Sequence, residues 1–175
     1  LAWGMNGQPL PHFNGFPLRV VVPGWTATYW MKHVNRIDLR TTPEDNFWMK
    51  AAYRVPRGLF PSDTAFPTQA TTANEPITQI MVNSLVTNLR DGARVPAAGF
   101  DIEGIAWDGG HGIRTVEVST DRGETWRPAT LSQDIGPYAF RPWKMSMRPG
   151  RAGPMQAMVR ATSNAGQVQA ARLVP

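Results

Sequence analysis

From residue 77 onward, the sequence alternates short apolar, β-branched segments with clusters of Gly, Asp and Pro. Segments of this length, bounded by turn-forming residues, are typical of antiparallel strands. In one of them Val116 and Val118 alternate with Thr115, Glu117 and Ser119, which is the period of a half-buried strand. We therefore predict strands at 77–86, 100–107, 113–119, 126–130, 140–147 and 155–162.

Six or seven short strands at this spacing predict an antiparallel, Ig-like β-sandwich. We expect Trp107, Val116, Val118 and Trp126 to contribute to its core. No amphipathic helical segment of convincing length and no internal repeat interrupts this pattern. The predicted fold class is therefore mainly β.

The first part of the chain contains two further candidate strands. The run 15–24 is rich in valine and bracketed by Gly and Pro, and the run 34–39 places Val34, Ile37 and Leu39 at its apolar positions. Arg19 lies inside the first run, where a buried guanidinium needs an anion or several acceptors. The prolines between Pro56 and Pro76 predict an extended connection, and so a domain boundary that separates 1–75 from 76–175.

Composition excludes several classes of protein. The chain is 42% hydrophobic and 18% charged, which is typical of a globular protein, and no apolar run reaches the roughly 18 residues of a membrane helix. The absence of cysteine excludes disulfides and thiolate metal sites within the chain. The net charge of +5 comes from dispersed arginines without interleaved aromatic residues, which argues against nucleic-acid binding.

Several motifs carry a resemblance to a known family. The strings LAWGMNGQPLPHFNGFPLRVVVPGW, YWMKHVNRIDL and DNFWMKAAYRVP resemble the late part of the molybdenum domain of sulfite oxidases, in particular the bacterial periplasmic sulfite dehydrogenases. The string GIAWDGGHGIRTVEVSTDRGETWRPA resembles the Ig-like dimerisation domain of the same enzymes. The resemblance implies that residues 1–75 are the end of a molybdopterin-binding domain and its linker, and that 76–175 are the dimerisation domain.

The resemblance also implies a molybdopterin cofactor with an anionic phosphate. Arg19 and Lys32 match the family's cofactor-binding pattern, and a planar fork of donors beside a point charge suits a dianion. Asn14 stands where many members have histidine, and it can still donate to a phosphate or pterin oxygen. Trp30 and Met31 match cofactor-contacting positions, although core packing explains them equally well.

Tyr53 matches the tyrosine that the family places beside the molybdenum, where a phenol can hydrogen-bond the reacting oxygen or the substrate. Arg54 and Arg57 add positive potential at the mouth of that site or, as is more usual for exposed arginines, serve as solubilising charges, and surface roles are expected for Arg141 and Arg172. His12, His33 and His111 lack neighbours at metal-ligand spacing, so no metal ligand is predicted in this chain.

By resemblance, the enzyme oxidises sulfite and passes electrons to cytochrome c or a cytochrome subunit in the bacterial periplasm, with a possible homodimer. The family binds molybdenum through a cysteine in the preceding half of the domain, so we expect this chain alone to be inactive and to need that half as a partner. Two alternatives stay open. One is a non-catalytic dimerisation or binding module, and the other is a nitrate reductase-type molybdoenzyme of the same fold.

Overall fold

The computed structural model describes residues 1–44, 47, 52–57 and 74–170. Trp48, most of the proline-containing connection and Arg172 lie outside the described residues. The chain divides into two compact units, which we call unit 1 (Leu1–Ile80) and unit 2 (Met81–Leu173). Among the described residues, no helix has the length and apolarity needed to cross a membrane.

Unit 1 consists of short elements joined by irregular backbone. Its antiparallel pairs are β1 (Gly4–Met5) with β2 (Gln8–Pro9), and β3 (Arg54–Pro56) with β4 (Asn74–Pro76). Two 3₁₀ turns lie between these pairs, at His12–Asn14 and Ala27–Tyr29. Isolated bridges join Ala2 to Arg19 and Trp25 to Gln79.

The prediction of regular strands at 15–24 and 34–39 in unit 1 is wrong. In the run 15–24 only Arg19 forms a bridge, exchanging both backbone hydrogen bonds with Ala2 at 2.8 Å. The run 34–39 starts with a hydrogen bond from Val34 N to Leu18 O, but Leu39 is 97% exposed. A strand needs a neighbouring ladder as well as an apolar pattern, and no described strand offers one to these residues.

Unit 2 is the predicted antiparallel β-sandwich. One sheet has the order β5-β6-β10-β9 and the other the order β11-β7-β8. The strands of the four-stranded sheet are β5 (Asn83–Val86), β6 (Phe100–Trp107), β9 (Thr130–Leu131) and β10 (Arg141–Met147). The strands of the three-stranded sheet are β7 (Ile113–Ser119), β8 (Arg127–Pro128) and β11 (Met158–Ser163).

Alternation along the strands places the core between the sheets. The inward residues are buried and form one cluster: Val82, Ile102, Ala106, Ile113, Val116, Val118, Trp143, Met147 and Ala161. Ile113 and Val116 both face inward although they are three residues apart. The register between β7 and β11 shifts at this point, because Thr162 pairs with Thr115 while Ser163 pairs with Ile113. Such a bulge adds one residue and restores the inward direction.

The tryptophan of the core is Trp143, at 2% exposure, rather than either predicted tryptophan. Trp143 lies opposite Gly104 of β6, the residue whose missing side chain makes room for the indole. Trp107 follows the inward Ala106, so it lies on the other face of the sheet and packs edge-on against Phe140, with ring centroids 5.5 Å apart. Trp126 is half-buried and stacks with the Arg160 guanidinium at 4.1 Å. The predictions for Val116 and Val118 are confirmed.

A part-buried polar contact joins the edge strands of the two sheets. Gln169 Oε1 accepts hydrogen bonds from Ser84 Oγ of β5 at 2.6 Å and from Ala161 N of β11 at 3.0 Å, and its Nε2 donates to Ser84 O at 3.3 Å. One amide side chain thus satisfies groups on both sheets, which fixes the pairing at this edge of the sandwich.

Candidate functional site

The predicted cofactor residues Asn14, Arg19, Trp30 and Lys32 lie together in unit 1. The loop 12–17 and the segment 30–33 approach each other at Gly15, which is buried and has a φ of 111°. A Cβ at this position would lie 3.2 Å from Lys32 Cα and 3.3 Å from Arg19 Cβ. Gly15 therefore allows the loop to lie against both cationic residues, and a side chain there would separate them.

Both cationic side chains donate to carbonyl groups of the same loop. Lys32 Nζ donates to Phe13 O at 2.6 Å, and Arg19 Nη1 donates to Asn14 O at 3.3 Å. Within the described part of the chain, neither forms an ion pair with a carboxylate. Two positive charges are thus held next to each other by neutral acceptors, which produces a locally positive potential.

Arg19 is held more rigidly than Lys32. Its guanidinium lies 5.4 Å from the centre of the Trp30 ring, and the indole Nε1 of Trp30 donates to Val22 O at 3.0 Å. Its Nε is buried and has no hydrogen-bond partner among the described residues. A buried, unsatisfied donor on a cation costs free energy unless an acceptor reaches it. The side chain therefore retains donors for an anion.

The other two predicted cofactor residues contribute less through their side chains. Asn14 is half-buried, and its Nδ2 lies 4.0 Å from Met5 Sδ, which is a weak contact that leaves the amide available. Met31 is 53% exposed, and its described contact is a backbone one, from Val20 N to Met31 O at 2.9 Å. Met31 is therefore not packed into a core formed by the described residues, while Trp30 is half-buried.

Tyr53 is positioned by a different set of contacts, directly before β3. Its carbonyl accepts from Ile77 N at 2.8 Å, its side chain is 45% exposed, and its φ is 52°. A left-handed backbone is uncommon for a bulky residue, and such outliers cluster at functional sites. The conformation turns the chain immediately before Arg54, which is half-buried and donates through Nη2 to Asn74 O.

Three residues of this region were not predicted as site residues. Gly15 provides the close approach, and His33 Nδ1 lies 2.8 Å from Phe16 O with its ring 4.9 Å from that of His12. Burial raises the pKa of the Tyr29 phenol, and the nearby Arg54 guanidinium opposes that shift. The Gly-Phe-Pro tripeptide signals a tight loop, but nothing local in the sequence indicates that the loop contacts residues 32 and 33.

Apart from Arg57, the remaining polar candidates have structural partners. Arg57 is exposed, while Arg141 Nη1 donates to Ile113 O at 2.7 Å and lies 3.5 Å from Asp134. Asp108 accepts hydrogen bonds from three backbone amides of its own loop, and His111 Nδ1 lies 3.4 Å from it. In the part of the chain that the structure describes, no three His, Cys, Asp or Glu side chains converge on a metal position.

Comparison with known proteins finds two family models that match successive parts of the chain. The model of the oxidoreductase molybdopterin binding domain matches residues 1–48, and that of the Mo-co oxidoreductase dimerisation domain matches residues 74–174. Mouse mitochondrial sulfite oxidase is 32% identical over 181 residues, which cover 100% of this chain and 32% of that protein. Chicken sulfite oxidase is 31% identical over 180 residues, which cover 100% of this chain and 38% of that protein.

A solved structure is also similar. The sulfane dehydrogenase SoxCD from Paracoccus pantotrophus superposes with a TM-score of 0.79 at 26% identity, over 97% of this chain and 41% of that chain. The chain thus spans about a third of the length of the curated relatives it matches. The dimerisation-domain match covers more than half of the chain and follows a molybdopterin-domain match, so the chain belongs to the sulfite oxidase family of molybdenum oxidoreductases.

Proposed function

We propose that this chain is part of an enzyme that oxidises sulfite to sulfate and passes the electrons one at a time to a cytochrome c or a cytochrome subunit. The observation that carries the proposal is the pair of cations around Gly15, with a buried Arg19 Nε that lacks a described partner. Family membership supports molybdopterin as the group that such a site serves.

The residues present fit the anionic end of that cofactor. Arg19 would bind a phosphate through its unused donors, and Lys32 would add a second charge from the adjoining segment. Asn14 Nδ2 would donate to a phosphate or pterin oxygen, while Trp30 and Met31 would contact the pterin through their side chains or backbone amides. When bound, molybdopterin with its molybdenum supplies the two-electron chemistry that converts sulfite and water to sulfate with release of two protons.

Tyr53 has a separate role in this proposal. Its exposed phenol would donate a hydrogen bond to a substrate oxygen and so orient the sulfite anion. The left-handed backbone conformation of Tyr53 supports a functional role for this residue, because such uncommon conformations cluster at functional sites. Arg54, held by Asn74 O, would add positive potential for an anionic substrate.

The experiment compares Arg19→Ala with Tyr53→Phe in the full-length enzyme. Removal of Arg19 would leave a cofactor dianion poorly paired in a partly buried site, so we expect low molybdenum content. Removal of the Tyr53 hydroxyl would take away one hydrogen bond to the reacting group, so we expect normal molybdenum content and turnover reduced by about 1–3 kcal/mol in activation free energy.

Two variants serve as matched controls. Arg36 is exposed and paired with Asp38 at 2.8 Å, so Arg36→Ala should keep both metal and activity. Tyr138 is 61% exposed in unit 2, so Tyr138→Phe should behave likewise. If Tyr53→Phe lost the metal while Arg19→Ala kept metal and activity, the assigned roles would be wrong. Activity with nitrate and a reduced dye, without sulfite-dependent reduction of cytochrome c, would favour the nitrate reductase alternative.

The proposal extends to organisation and location. We propose a domain boundary between residues 75 and 76, a homodimer formed through the sandwich, and a periplasmic location. The dimerisation-domain match supports the pairing, and isologous contacts of this kind usually bury more than roughly 1,000 Å². Sedimentation of the full-length protein tests the dimer, and a monomer at micromolar concentration would contradict it. Cell fractionation tests the location.

A further inference from the structure

An open cleft of about 880 Å³ lies within unit 2, at the end of the sandwich formed by the loops after β7 and β10. Its apolar wall includes Val95, Ala97 and Met155, while its polar lining is dominated by guanidinium groups. Four arginines line it: Arg122, Arg127, Arg148 and Arg151. All four are exposed, and none is part of the cationic site of unit 1.

These arginines differ from the paired cations on the strands of unit 2. On the strands, Lys144 Nζ lies 2.8 Å from Asp101, and Arg160 Nε lies 2.9 Å from Glu117. None of the four cleft arginines forms an ion pair with a carboxylate among the described residues. The hydrogen bond described for them is from Arg127 Nη2 to Met147 Sδ at 3.4 Å, to a weak acceptor.

The acidic residues of the cleft leave this charge uncompensated. Asp121 is committed to its own turn, because its Oδ1 accepts from Ser119 Oγ at 2.7 Å and from Thr125 N at 2.9 Å. Its Oδ2 accepts from Thr125 Oγ1. Glu124 is exposed and forms no described ion pair. The described lining residues include four arginines and two carboxylates, which gives a net charge of +2.

We propose that this cleft binds an acidic peptide segment of a partner protein. A volume of about 880 Å³ is far larger than one phosphate or sulfate ion, and it suits several carboxylates along an extended chain. The apolar wall would accept the stems of the partner's side chains, and the exposed arginines would pair with its carboxylates. Among the described residues, the lining contains no aromatic side chain on which nucleic-acid bases would stack, which argues against a single-stranded nucleic acid.

The test measures binding of a fluorescein-labelled hexaglutamate peptide to the full-length protein by fluorescence anisotropy. We expect saturable binding that weakens with salt, and no binding of the matching hexaglutamine peptide. Arg122→Gln combined with Arg148→Gln should weaken hexaglutamate binding by about tenfold or more, because two cleft charges are removed. Arg114 is an exposed arginine of β7 outside the cleft, so Arg114→Gln should change the affinity by less than about twofold.

Three results would overturn the proposal. The first is unchanged affinity in the double variant, whose folding is checked by its thermal unfolding midpoint, or in the two single variants if the double variant does not fold. The second is complete displacement of the peptide by inorganic phosphate at equal total charge, which would indicate a small-anion site. The third is equal, arginine-dependent binding of an oligothymidylate, which would indicate unselective polyanion binding.

Discussion

Substitution of Gly104 by alanine tests the packing of the sandwich core. A Cβ at this position would overlap the carbonyl oxygen of Leu85 on β5 and would lie 2.6 Å from Trp143 Cε2. Neither neighbour can move freely. The Leu85 carbonyl belongs to a strand paired with β6, and Trp143 is 2% exposed inside the core cluster. The added methyl group therefore has to displace either a strand or the central aromatic residue.

Two opposing effects set the magnitude of this change. Alanine reduces the conformational freedom of the unfolded chain, which stabilises by about 0.4–1 kcal/mol. Overpacking of a core costs about 1–3 kcal/mol, and here one of the two overlapped groups is backbone, which adjusts less easily than a side chain. With the overpacking cost at its upper end and the unfolded-state gain subtracted, we expect Gly104→Ala to lower the free energy of unfolding by about 2 kcal/mol. Urea denaturation followed by tryptophan fluorescence measures this quantity.

A substitution at a second glycine separates the effect of steric overlap from the effect of replacing a glycine as such. Gly166 has a φ of 84° and open space around its position, so Gly166→Ala should cost only the left-handed strain of about 1–2 kcal/mol. Trp143→Phe removes the overlapping indole atoms, so it should cost less in the Gly104→Ala background than in the original chain. A Gly104→Ala protein within about 0.5 kcal/mol of the original would refute the packing argument.

Two further predictions concern charged groups of unit 2. Hydrogen bonds from Thr125 and Ser119 lower the pKa of Asp121 to about 2, from 3.8, so the folded state binds this proton less readily than the unfolded state. The stabilisation is therefore present above pH 4 and is lost as the pH falls towards 2, and unfolding curves across this window should show a smaller acid loss in Asp121→Asn. The half-buried pair of Glu117 with Arg160 predicts that Glu117→Gln lowers the free energy of unfolding by about 1 kcal/mol at low salt and by less at high salt. Equal stability of Glu117→Gln and the original chain at low salt would contradict that role.

The sandwich was largely predictable because short sequence patterns specify most of its strands. Strands 100–107 and 113–119 coincide with β6 and β7, where alternation and flanking turns specify both the extent and the buried face. The central tryptophan was not predictable in the same way. The indole of Trp143 fits inward because Gly104, its partner on the neighbouring strand, has no side chain, and only the pairing of β6 with β10 reveals that relation.

In unit 1, local sequence patterns do not predict the strands correctly. The valines of 20–22 have high strand propensity, yet they are half-buried and outside any strand, because propensity cannot specify a pairing partner. The prediction from 77–86 is shortened for a similar reason. Only Asn83–Val86 pairs with β6, while Gln79 forms an isolated bridge with Trp25. The side-chain grouping of Arg19 and Lys32, by contrast, depends on Gly15 rather than on regular structure.

The two cationic surfaces of the chain differ in preorganisation, and this difference bears on what each can bind. Arg19 is held over Trp30 and bound to Asn14 O, so little rotamer entropy is lost when an anion engages its remaining donors. Arg148 and Arg151 are exposed and form no ion pairs among the described residues. Their side chains therefore lose rotamer entropy when a ligand binds, and this loss lowers the affinity. A fixed guanidinium whose own Nε is buried and has no described partner suits one ligand of defined geometry, as a cofactor phosphate requires. Exposed arginines around an open cleft suit a partner whose position is less strictly defined, and screening by salt should weaken that association more.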